Sequence, residues 1–389
     1  MQRPGARRVQ CESYSFHLAT EPGISTVDVY HGLGNALAKK LGQANVLPFD
    51  LKPILKFYRT AVKKMIEGTA KRVDINDVYN SACKSLIVNV LQTMPDLIIY
   101  ITGQYIPQWV PAMIRDRLHI KQAVWFTESP YQVALEARMA PLFDYVFTCD
   151  KACERIYRGF NPNTWYLPTA YDSLYEWEVT DELKRWERII YTPDLFFVGS
   201  EVPGRLDFLR ELVSHLKGQR LRFRMFGVFP SIEEGKCPEL EPFYTPRVLT
   251  KFDVIKYYRW AKIVLNHFRI NESKSFYRDA KTGQVVRDPE GKVMVRTIEP
   301  YSLSPRVYEA LAAGGFLLTQ KRTEIGDLFV PGQDLVTYDD AADCARMVRE
   351  WLPKENERRE IADSGRHKVE QGHDYLDRAA RLLDAIHFM

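Results

Sequence analysis

SPRVYEALAAGGFLLT (Ser304–Thr319) decides how the rest of the chain is read. Proline at the first helical position and the pair Gly314-Gly315 past the last one bound a short helix. The apolar run FLLTQ (Phe316–Gln320) then reads as a buried strand. A helix feeding a continuous apolar strand is part of a parallel sheet with crossover helices.

The same unit recurs on both sides. Upstream, LFFVGS (Leu195–Ser200), LRFRMFG (Leu221–Gly227) and KIVLNHF (Lys262–Phe268) read as strands, and Leu206–Leu216 as an amphipathic helix. Downstream, the chain reads as helical from Ala341, punctuated near Pro353 and Gly372. The first half repeats the rhythm. DLIIYITG (Asp96–Gly103), AVWFTES (Ala123–Ser129) and YVFTCD (Tyr145–Asp150) are strands ending in small or polar residues, where α/β proteins place ligand contacts. Asn45–Asp50 is a weaker strand, and Leu51–Met94 reads as mostly helical. NPNTWYLPTAYD (Asn161–Asp172), with two prolines, reads as a hinge, and Ser173–Thr192 as linker plus helix. The expected division is residues 1–172, 173–372 with an inserted hairpin near 271–300, and a closing helix over 373–389. Two α/β halves create a cleft between them, the default ligand site.

The 389 residues suffice for two ordinary cores. Hydrophobic residues at 46% and charged residues at 27% describe a globular chain, and a net charge of +4 gives no argument for a nucleic-acid partner. No apolar run reaches the ~20 residues of a membrane span. MQRPGARRVQ at the start has no apolar stretch behind it, so it does not read as a secretory signal. A peripheral membrane role stays open. Of six cysteines only Cys149 and Cys153 are close, a poor zinc spacing; they read as small buried side chains, and reduced thiols fit a cytoplasmic location.

Two corners of the second half suit a phosphate. Ser304 can cap its helix, the free N–H groups of the first turn can receive an anion, and Arg306 can pair with a diphosphate. Glu309, one turn on, can accept both ribose hydroxyls of a nucleotide. The plainer alternative is an ordinary βα unit with Arg306 and Glu309 as an exposed ion pair. In FVGSEVPGRLDFL (Phe197–Leu209), Gly199-Ser200 ends a strand and Arg205 opens a helix; Gly199 admits a ligand to the backbone and Arg205 can neutralise phosphate charge. Gly227, at the end of LRFRMFG, joins this set of candidate donor contacts.

Taken in order, FVGSEVPGR, YYRWAKIVLN (Tyr257–Asn266), SPRVYEALAAGGFLLTQ, EIGDLFVPGQDLVTYDD (Glu324–Asp340) and HDYLDRAARLL (His373–Leu383) resemble the GT-B glycosyltransferases, and within them the spore-maturation, CgeB-like group. AVWFTESPY, FDYVFTCD and YLPTAYD match more loosely. The resemblance runs from about Asp96 to the C-terminus. It implies an α/β GT-B fold: two Rossmann-like domains facing across a cleft, with a C-terminal helix packing back toward the first. It implies a nucleotide-sugar donor, a UDP-sugar first, held by the second domain. Glu309 matches the glutamate on the ribose, Arg205 and Arg306 face the diphosphate, and Gly199 and Ser200 lie under the phosphates.

Many retaining members carry a second glutamate eight positions before the one matched by Glu309; here that position is Tyr301. The stereochemical course stays open, with retention favoured. Where many CgeB-like chains have aspartate at a first-domain strand end, this one has Glu128. No Asp-x-Asp triplet occurs, so no cofactor is expected and arginines would stabilise the leaving group instead of a metal. Glu128, Asp150 and His31 (in the YHGLGN turn) are the candidate catalytic residues, each with a plainer role as a cap or helix opening. His267 reads as a satisfied core histidine. The acceptor is not legible. The 271–300 insert carries Lys274, Arg278, Lys281, Arg287, Lys292 and Arg296, which could meet DNA bearing hydroxymethylated bases, though Asp279, Asp288, Glu290 and Glu299 offset most of that charge and favour a solvated hairpin. A surface glycan or protein is the other acceptor class. An epimerase or hydrolase acting on the donor, or a non-catalytic nucleotide-sugar-binding protein, are the competing functions.

Overall fold

A computed structural model describes residues 9–13, 24–69, 71–72, 74–103, 106–175, 183–272, 274–276, 291 and 295–387. Its first half is built on six parallel strands: β1 (Val9–Ser13), β2 (Val46–Asp50), β3 (Leu97–Ile101), β4 (Lys121–Phe126), β5 (Tyr145–Thr148) and β6 (Thr164–Tyr166). They are ordered β2-β1-β3-β4-β5-β6. β3 reads LIIYI and is buried at every position, because helices cover both faces of a parallel sheet. One face carries helices Leu51–Ile66 and Ile75–Thr93 through Leu55, Val78, Leu86 and Val90. The other carries helix Ile24–Leu41 and, from the far end of the chain, helix Tyr375–Ala385.

The second half repeats the plan with β7 (Leu195–Ser200), β8 (Phe223–Val228), β9 (Tyr244–Thr245), β10 (Ile263–Asn266), β13 (Leu317–Gln320) and β14 (Val336–Tyr338), ordered β14-β13-β10-β7-β8-β9. The order reverses between β7 and β10, so a crevice opens at their C-terminal ends, the place where open α/β sheets bind ligands. Between β10 and β13 the chain forms an antiparallel pair, β11 (Lys274–Phe276) with β12 (Val295–Thr297), the stem of the expected hairpin. The tip, with Arg278, Lys281, Arg287 and Lys292, lies outside the described residues, and with it most of the basic surface considered for DNA.

The helix opened by Ser304 spans Pro305–Ala312, and Gly314 adopts φ 70°, the left-handed conformation expected just past its end. The closing helix packs back on the first half. Gly32 is why it can: a Cβ there would stand 2.1 Å from the Tyr375 ring. Arg378, almost wholly buried, donates from Nε to Pro168 O at 2.9 Å and from Nη2 to Thr169 O at 3.2 Å. Gly32 also corrects the reading of YHGLGN as a turn. The segment lies within helix Ile24–Leu41, and Gly32 serves helix packing.

Candidate functional site

A cavity of about 240 Å³ opens between the facing edges of the two sheets. Its floor is where β7 and β8 end side by side. Gly227 has φ 125°, and a Cβ on it would fall 1.6 Å from Gly199 O, so only glycine fits. A Cβ on Gly199 would meet Arg205 Nη1 at 3.2 Å and Arg306 Nη2 at 3.3 Å. The bare glycine backbone therefore leaves both guanidinium groups over the strand end.

Arg205 opens helix Arg205–His215 and is buried. Its Nη1 donates to Ser200 O at 2.5 Å and its Nη2 to His267 O at 3.1 Å, but Nε has no partner. No carboxylate pairs with it among the described residues, and burial together with the nearby Arg306 lowers it to about 9. A guanidinium at that value is still charged at neutral pH. Arg306 donates from Nη1 to Asn266 Oδ1 at 3.1 Å, and Asn266 is held in turn by Thr319 Oγ1 at 2.9 Å. Arg306 pairs with an amide and not with Glu309, against the plain ion-pair alternative. Ser304 sits at the N-cap position but makes no cap bond; its buried Oγ is unpartnered and lines the cavity. This corrects the expectation that Ser304 caps the helix. Two unspent donors beside an uncompensated buried cation leave a place for an anion, because unpaired buried charge costs several kcal/mol.

Gly199, Ser200, Arg205, Gly227, Ser304, Arg306, Glu309, Glu128 and Asp150 all line this cavity, and His31 does not. His31 is exposed on helix Ile24–Leu41, which packs against the C-terminal helix, and it is not among the residues lining the cavity. Glu128 lies 3.6 Å from Arg269 Nη1 across the cleft. Asp150 is engaged by backbone on both sides. Its Oδ1 accepts from Ala152 N at 2.9 Å, capping helix Lys151–Arg158, and its Oδ2 accepts from Tyr301 N and Ser302 N at 3.0 Å each. Burial raises its pKa while these donors hold it down. Glu324 completes the clasp, accepting from Tyr166 Oη and, at 2.7 Å, from Leu303 N. The segment leading into the Ser304 helix is thus tied to the first half. Tyr301 hydrogen-bonds Asp327 and does not line the cavity. His267 is buried, stacked on Phe208 at 3.7 Å and bonded through Nδ1 to Tyr338 Oη at 3.1 Å, and it also lines the cavity, which the reading as a core histidine did not anticipate.

Arg269, Arg322, Tyr131 and Lys251 also line the cavity, and sequence reasoning missed them. Arg269 lies over the Tyr131 ring at 4.5 Å, and Arg322 Nη1 donates to Tyr131 Oη at 3.4 Å. Their signal was positional: each arginine stands within three residues of the end of a parallel strand, β10 or β13. With Arg205, Lys251 and Arg306 they set five cationic side chains against three carboxylates around one cavity. Among the described residues no His/Cys/Asp/Glu group could hold a metal ion. Cys149 and Cys153 are buried free thiols, their pKa values pushed well up by burial.

Residues 205–384 match the model of a family described as glycosyl transferase-like. No curated protein matches the sequence. Over 98% of both chains the structure is similar to sucrose-phosphate synthase from Thermosynechococcus elongatus, at 12% identity and a TM-score of 0.65. It is similar to Anabaena HepE in complex with UDP and glucose at 11% identity, covering 98% of this chain and 100% of that one, with a TM-score of 0.62. A structure assigned as UDP-N-acetylglucosamine 2-epimerase from Listeria monocytogenes is similar at 11% identity, covering 99% and 97%, with a TM-score of 0.54. The fold is GT-B.

Proposed function

We propose that the chain transfers a sugar from a nucleotide diphosphate sugar to an acceptor bound against its first half. The observation that carries this reading is the buried Arg205, without a carboxylate partner among the described residues, beside Arg306 at the β7–β10 switch point, with Ser304 Oγ unpartnered between the sheets. Negative charge builds on the departing diphosphate as the glycosidic bond breaks. Arg205, Arg306 and the N–H groups opening helix Pro305–Ala312 take up that charge, the work a metal ion performs in other transferases. Glu309 accepts the ribose hydroxyls, and the apolar lining of Val248, Val254 and Ile255 takes the base. A UDP-sugar is the donor to test first, since HepE was solved with UDP. Glu128 is the candidate base for an inverting course; without a glutamate at Tyr301, retention would use other groups. Placement in the CgeB-like group rests on the sequence motifs alone.

A thermal-shift screen with UDP, UDP-sugars and other nucleotides, with and without EDTA, tests the reading. Ligand at a hundredfold its Kd stabilises the native state by about 2.7 kcal/mol. The expected result is a rise in Tm with a uridine nucleotide that survives EDTA and shrinks in Glu309→Ala. No shift with any nucleotide overturns the proposal, and a sugar converted with no acceptor present redirects it to an epimerase or hydrolase.

A further inference from the structure

Two arginines of the cavity have no task in the donor site. Arg269 follows β10 and Arg322 follows β13, and both meet Tyr131, which follows β4 of the first half. The Arg269 guanidinium carbon is 4.5 Å from the centre of the Tyr131 ring, and Arg322 Nη1 donates to Tyr131 Oη at 3.4 Å. Arg322 also lies over the Phe268 ring, 4.0 Å from its centre. An aromatic ring covers the face of a guanidinium and leaves the N–H edge for an acceptor. That edge is little used. Among the described residues Arg322 hydrogen-bonds only through Nη1, to Tyr131 Oη and Ser302 O at 3.4 Å each, and pairs with no carboxylate. Arg269 Nε is buried without a partner among them, and Arg269 Nη1 stands 3.6 Å from Glu128, beyond hydrogen-bonding distance. The tie between the halves does not need these two side chains, because Asp150 already makes it through 3.0 Å bonds from Tyr301 N and Ser302 N.

The pair borders the donor contacts without duplicating them. Gly199, Arg205, Ser304, Arg306 and Glu309 all belong to the second half, whereas Arg269 and Arg322 share their surroundings with Tyr131 and Glu128 of the first. Arg205, lowered first by burial and then by Arg306, feels Arg269 more weakly. An acceptor lies between the donor sugar and the first half, which is where the two guanidinium groups stand. A neutral acceptor would leave Arg269 Nε and the Arg322 edge unanswered. A ligand oxygen that carries charge would satisfy both, and a site built around such donors rejects the analogue that lacks it.

We propose that Arg269 and Arg322 form a second anion subsite, for a phosphate or carboxylate carried by the acceptor. The proposal rests on the reading of the chain as a transferase whose acceptor binds against the first half. The subsite positions that acceptor and takes no part in breaking or making the glycosidic bond. The test is isothermal titration of the UDP-saturated full chain with sodium phosphate at constant ionic strength. Saturable binding is expected, weakened about tenfold or more in Arg322→Gln and in Arg269→Gln through the loss of a charged hydrogen bond, while UDP affinity changes less than about twofold. Arg322→Lys keeps the charge but not the planar fork and should fall between. Matched ligands locate the anion. Glycerol phosphate should bind the UDP-saturated chain about tenfold more tightly than glycerol, a preference that Arg322→Gln removes, and UDP-glucuronate should bind no better than UDP-glucose. A preference for UDP-glucuronate that Arg322→Gln removes would put the anion on the transferred sugar and overturn the acceptor assignment. Absence of phosphate binding to the UDP-saturated chain overturns the subsite. So does a loss of UDP affinity in Arg322→Gln as large as in Arg205→Met, which would give both arginines to the diphosphate. If UDP itself does not bind, the donor reading falls and phosphate titration of the ligand-free chain decides the subsite: binding lost in Arg322→Gln but kept in Arg205→Met supports it, and the reverse overturns it. Melting curves accompany each variant, and where one melts early the unaltered chain's own phosphate binding still decides.

Discussion

The two sheets present opposite kinds of edge to one cavity. The edge of the second half is unfinished: among the described residues Arg205 Nε and Ser304 Oγ are buried without partners, and no carboxylate answers the guanidinium charge. The edge of the first half is finished. Asp150 spends its carboxylate on three backbone N–H groups, Glu128 faces Arg269, and Glu136, buried behind them, accepts from Ser129 Oγ at 2.7 Å and from Tyr157 Oη. A half with unspent donors is arranged for a charged ligand. A half whose polar groups are already engaged is arranged to hold position.

The sharpest way to break that contrast is Arg205→Met. It should weaken UDP binding by about 2–5 kcal/mol, because a buried charge contact with phosphate is lost, while the melting temperature without ligand does not fall. Isothermal titration with parallel melting curves decides it. A large fall in the ligand-free Tm with binding intact would make Arg205 a tie between Ser200 and His267, and the second half would then be as finished as the first.

Asp150 probes the other side. Asp150→Ala orphans three N–H groups and should cost about 2–4 kcal/mol of stability, with Asp150→Asn costing less, as read by urea unfolding. Turnover abolished in Asp150→Asn at unchanged stability would mean that this carboxylate moves a proton and is more than a clasp.

Around pH 6 a smaller effect comes from His267. Its folded pKa is lowered from 6.5 to about 3 by burial and by Arg205. A lowered histidine pKa means the unfolded chain binds the extra proton first. Stability is therefore fully present above pH 6.5 and declines as pH falls toward 3, by at most about 1.4 kcal/mol per pH unit. His267→Phe keeps the stack on Phe208 and should flatten that decline, since Tyr338 Oη retains its 2.9 Å bond to Asn266 O. An unchanged acid slope would mean that other groups set it.

What was readable in the sequence follows from how much each element can say locally. β3, β4, β7, β10 and β13 are continuous apolar runs closed by glycine or polar residues, and they were legible. β1 (VQCES) mixes polar residues into a central strand, and β6, β9 and β14 have two or three residues each, too few to show a period. Gly199, Arg205, Ser304 and Arg306 stand at strand ends and helix starts, which a linear reading can find. The clasp of Asp150 on Tyr301 and Ser302 joins positions 151 and 152 residues apart, and nothing in either segment announces the other. YHGLGN misled because HGLGN resembles a turn, whereas the segment is helical and Gly32 is small to admit Tyr375.

That contact has a consequence for biogenesis. Val29, Leu33 and Leu37 of an early helix are covered by Tyr375, Ala379 and Leu382 of a very late one. A ribosome emits the first half long before its cover, so the nascent first half carries an exposed apolar face until helix Tyr375–Ala385 has emerged. Chaperone demand should concentrate there, and shortening the chain before residue 375 should leave a product that aggregates through its first half even though the second half is whole.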